Sequence, residues 1–68
     1  MMGAEKFMVT VRFKDELYPK SYFFCESTLA VNFFVSVHDL HKDFNDVDLQ
    51  LWELADKPFI NWKLLRTT

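Results

Sequence analysis

From Phe7 to Phe13 every second residue is a β-branched or aromatic apolar one, and from Thr28 the apolar spacing changes to that of a helix. This change of period, more than any single motif, limits what the chain can fold into. Phe7, Val9, Val11 and Phe13 point one way and Met8, Thr10, Arg12 and Lys14 the other, the pattern of a strand with one buried face. Lys20 to Cys25 reads as a second strand, with Pro19 tolerable only at its start or on a sheet edge. Asp15-Glu16-Leu17-Tyr18 then makes a hairpin connection whose register no Asn-Gly or Asp-Gly turn fixes.

Ser27 has the chemistry of a helix N-cap, because its hydroxyl can accept a free N–H of the first turn. Over Thr28–Phe44 the residues Ala30, Phe33, Phe34, Val37, Leu40, His41 and Phe44 share one helix face, with Asn32, Ser36, Asp39 and Asp43 opposite and Asn45 as the stop. Val31 and Val35 lie on the flank. Asp48–Leu54 and Phe59–Leu65 return to period two. A four-residue loop at Ala55–Pro58 pairs Leu54 with Phe59, Leu51 with Trp62 and Leu49 with Leu64. That register puts Leu49, Leu51, Ile60, Trp62 and Leu64 on the side facing the helix. The expected architecture is α+β, in the order β-β-α-β-β, with one helix packed on a four-stranded antiparallel sheet.

Sixty-eight residues make one domain, with residues 1–5 expected to lie outside the fold. A chain this short buries only about 60% of its extended surface. Half of the chain is apolar and 18% of the chain is aromatic, which offsets that thin margin. No apolar run is long enough to span a membrane, and no signal peptide is evident at the start. Cys25 is the only cysteine, so no internal disulfide forms and a reducing cytoplasm is the expected setting.

The inventory for catalysis is poor. Cys25 sits in an aromatic strand and reads as a buried, inert thiol. His38 and His41, spaced i and i+3, could share a metal, yet no cysteine pair completes a zinc set, and His41 reads as a boundary histidine. Gly3 is the only glycine, which leaves no phosphate-cradling loop. We therefore expect no enzyme activity, no cofactor and no metal.

Surfaces remain. In this register the sheet face away from the helix carries Trp52, Leu54, Phe59, Asn61 and Lys63, with Tyr22 or Phe24 as further candidate rings. A face with this much apolar area calls for a partner. A protein, including a second copy of this chain in a homodimer, would bury the rings. Single-stranded DNA would stack its bases on them beside Lys63 and Arg12. Residues 39–56 carry a net charge of −5, and residues 57–68 a net +3. Asp39, Asp43, Asp46 and Asp48 could thus form an acidic surface that mimics nucleic acid, although a solvated acidic edge explains them as well.

The run Ala30-Val31-Asn32-Phe33-Phe34, the aromatic Phe44, and Asp48-Leu49-Gln50-Leu51-Trp52-Glu53-Leu54 together resemble the small nonstructural proteins of gokushovirus-type microphages. The resemblance implies a non-enzymatic accessory role in the replication of a single-stranded DNA phage, in the host cytoplasm. It carries over no catalytic residues.

Overall fold

A computed structural model describes residues 5–43, 46–56 and 59–68. Strands β1 (Phe7–Phe13) and β2 (Lys20–Phe24) precede helix α1 (Ser27–His41), and β3 (Val47–Ala55) and β4 (Asn61–Thr67) follow it. The four strands form one sheet in the order β2-β1-β3-β4, every neighbouring pair antiparallel. The expected α+β architecture is the one observed. The helix stops at His41, and the expected residues Phe44 and Asn45 lie outside the described residues, as do Met1–Ala4, Lys57 and Pro58.

Two central strands supply most of the core. Val9 and Val11 of β1 and Leu49 and Leu51 of β3 meet Ala30 and Phe34 of α1, and Phe7, Phe13, Phe24, Phe33, Val37 and Val47 close the edges. Ala30 has no exposed surface; a methyl group there lets the helix approach the sheet closely. The β1–β2 register that the sequence left open pairs Val9 with Tyr22 and Phe7 with Phe24. Glu16 organises the connecting turn: its N–H donates to the Phe13 carbonyl (2.9 Å), and its Oε1 accepts the Phe13 N–H (3.2 Å).

Four expectations are corrected. Glu26, extended in backbone, occupies the N-cap without a capping side-chain bond, and Ser27 is already helical. Leu40 is 73% exposed although it belongs to the apolar stripe. It lies on the β2 side of the last helical turn, where β2 has not yet begun: Lys20 is paired with Val11, and Phe13 has no β2 partner beneath that turn. Cys25 is exposed, because β2 ends at Phe24. The largest correction concerns β4. Leu54 pairs with Trp62, Trp52 with Leu64, Glu53 with Lys63 and Ala55 with Asn61, three positions from the expected register. An odd shift turns the side chains from Asn61 to Leu64 to the other face. Beyond an irregularity between Leu51 and Trp52, Leu51 pairs with Arg66 and Gln50 with Thr67.

The helix packs on β1, β2 and β3, and none of its Cα atoms comes within 8 Å of a Cα atom of β4. A helix is about 10–12 Å across with its side chains, whereas four strands span about 14 Å between outer axes. One helix therefore leaves an outer strand bare.

Candidate functional site: the open sheet face

Residues directly opposite on neighbouring antiparallel strands project to the same face. Met8 and Trp52, Trp52 and Leu64, Leu54 and Trp62, and Met8 and Phe23 are such pairs. All six therefore share the face away from α1, and they form its apolar end. Phe23 and Trp62, on the two outermost strands, approach with ring centroids 6.0 Å apart. Trp52, Leu54 and Trp62 are half-buried, while Phe23 and Leu64 are 46% and 42% exposed.

The other end of this face is polar and satisfied internally. Trp52 Nε1 donates to Thr10 Oγ1 (3.3 Å), and the Thr10 hydroxyl donates to Gln50 Oε1 (3.3 Å). Arg12 forms an ion pair with Asp48 and donates to the Glu16 carbonyl (3.2 Å). A hollow of about 360 Å³ lies over this end, lined in part by Thr10, Arg12, Asp48, Gln50 and Thr67.

Of the five residues expected on this surface, Trp52 and Leu54 belong to it. Phe59 lies outside β4 and is 71% exposed. Asn61 and Lys63 turn to the helix side, opposite Ala55 and Glu53. Among the candidate rings of β2, Tyr22 and Phe24 also face the helix, where both pack against Phe33. Phe23, Trp62 and Leu64 were missed. The alternation in Tyr22-Phe23-Phe24 already placed Phe23 opposite its neighbours, but both faces of that run are aromatic.

The four aspartates do not gather into one surface. Asp48 is engaged by Arg12. Asp46 lies beside His41, its Oδ1 3.2 Å from the His41 Nδ1, and both atoms are buried without a hydrogen-bond partner among the described residues. Asp39, with Oδ1 3.8 Å from the His38 Nδ1, and Asp43 are exposed at the C-terminal end of α1. Among the described residues no group of three or more His, Cys, Asp or Glu side chains gathers into a metal site. No helix is long and apolar enough to cross a membrane. Comparison with protein-family models, curated proteins and solved structures finds no match to this chain.

Proposed function

We propose that this chain is a non-catalytic protein-interaction module whose open sheet face takes up an uncharged apolar segment of another protein. The observation that carries the reading is the aromatic cluster of Phe23, Trp52 and Trp62 on a face that no helix or strand of the described residues covers. Its chemistry favours protein over nucleic acid. Single-strand binding needs cations beside the rings. Here Arg12 is engaged by Asp48 and Lys63 lies on the opposite side of the sheet, so Lys6, opposite Leu54, is a single cation where a strand of phosphates needs several. The accessory role implied by the phage resemblance is compatible with this reading, which does not depend on it.

The test places a photo-crosslinking amino acid at position 62 and, as a control, at the exposed position of Leu17. The expected result is a crosslink to one identified protein from position 62 only, lost on Phe23→Ser. A crosslink to a second copy of the chain would overturn the choice of occupant. Quenching of tryptophan fluorescence by single-stranded oligonucleotide would overturn the protein reading.

A further inference from the structure

No helix or strand of the described residues lies over the helix-side face of β4, and the flank of α1 beside it carries the exposed Val31 and Val35. The register brings Asn61, Lys63 and Arg66 to that side of β4. Between α1 and β4 lies a hollow of about 260 Å³, lined by Phe34, Val35, His38, Arg66, Thr67 and Thr68, so the core residue Phe34 is reached from outside. Along the flank, Thr28, Val31, Val35, His38 and Lys42 follow one another at intervals of three and four. That is the spacing of a seam between two helices. Val31 and Val35 are 38% and 42% exposed.

We propose that a second copy of this chain fills this space through a two-fold axis running parallel to α1. The two helices then lie side by side as one shared layer between two sheets. Each helix covers its own β1, β2 and β3 with its inner face and the second copy's β4 with its outer face.

Two observations select a second copy as the occupant. The first is charge. Lys63 and Arg66 form no ion pair among the described residues, and the outer side of α1 toward its C-terminus carries Asp39 and Asp43. The hollow sets Arg66 level with Val35 and His38 along the helix. The rotation keeps that level, so the second copy's Arg66 comes over the turn that holds Asp39. The second is self-complementarity. One rotation brings Val31 and Val35 against their own counterparts, places a helix over the bare β4, and covers the outer face of α1. A two-fold interface uses the same patch on both subunits, and this patch contains both halves of the contact. His38 and Lys42 continue the seam beyond the valines; a polar residue at such a position fixes the alignment of the helices.

This dimer is independent of the open face, and the experiment separates the two. Sedimentation of the purified full chain over a concentration series is expected to show a dimer. Val35→Asp, an exposed flank position, gives a monomer with unchanged circular dichroism. Arg66→Glu, and separately Asp39→Lys with Asp43→Lys, each weaken the dimer by about tenfold or more. Mixing these two variants in equal amounts regains it, because each mixed pair restores opposite charges at both contacts. Phe23→Ser on the open face leaves the dimer intact. A wild-type monomer at every concentration overturns the proposal. So does a dimer that Val35→Asp and Arg66→Glu leave unchanged, or one that Phe23→Ser abolishes.

Discussion

Phe23 and Trp62 stand on opposite edges of a four-stranded sheet, yet their rings approach to 6.0 Å over its open face. The side chains of the outer strands lean inward over Met8, Trp52 and Leu54 and give the face a small apolar cluster of its own. Aromatic pairs contribute about 0.5–1.5 kcal/mol beyond their buried area. A double-mutant cycle on Phe23→Ala and Trp62→Ala, read by urea denaturation, is expected to return a coupling in that range. A coupling of zero would mean that the two rings do not meet in solution.

Leu49→Ala is expected to cost about 2–5 kcal/mol, because Leu49 is fully enclosed between the central strands and α1. Leu40→Ala should stay within about 0.5 kcal/mol, since that side chain stands in solvent. Equilibrium unfolding of the pair tests where the apolar stripe of the helix stops contributing.

Thr10 holds two partners with one hydroxyl. Thr10→Val keeps the shape but leaves the Trp52 indole N–H and Gln50 without it. The expected loss is about 1–3 kcal/mol, the cost of leaving partly buried polar groups unpaired. Thr10→Ser retains the hydroxyl and should recover most of that loss in the same chemical melts.

The Arg12–Asp48 ion pair is a weaker contributor despite its short contact. Both side chains are substantially exposed. Asp48→Asn is expected to cost no more than about 1 kcal/mol and to matter still less at high salt. Thermal melts at low and high ionic strength check both statements.

The sequence made β1 legible to the residue, because Phe7, Val9, Val11 and Phe13 alternate cleanly and only one face of that strand is strongly apolar. It made β4 misleading for a physical reason. Trp62 and Leu64 form the apolar set of that strand, and an apolar set is normally assigned to the side facing the helix. The helix does not lie over β4, so those residues join the open face instead. The same cause hid two of the six residues of the candidate site, since Trp62 and Leu64 could be placed there only once the width of the sheet relative to one helix was known. Trp52 was readable because Leu49 and Leu51, two positions apart, fix the inner side of β3.

The strand order also has a kinetic consequence. Val9 pairs with Tyr22 within a hairpin, but its partner on the other side is Leu51, forty-two residues away. Closing so long a loop is entropically costly, and non-local strand pairing of this kind slows folding relative to helical proteins. Each hairpin can form early, and the seam between β1 and β3 closes only when α1 has crossed over. Until then β1 and β3 are both unpaired edges, each bearing a row of apolar residues. Such edges are templates for joining another chain. Refolding at high protein concentration should therefore lose material to aggregation, while the same chain refolded dilute should recover fully.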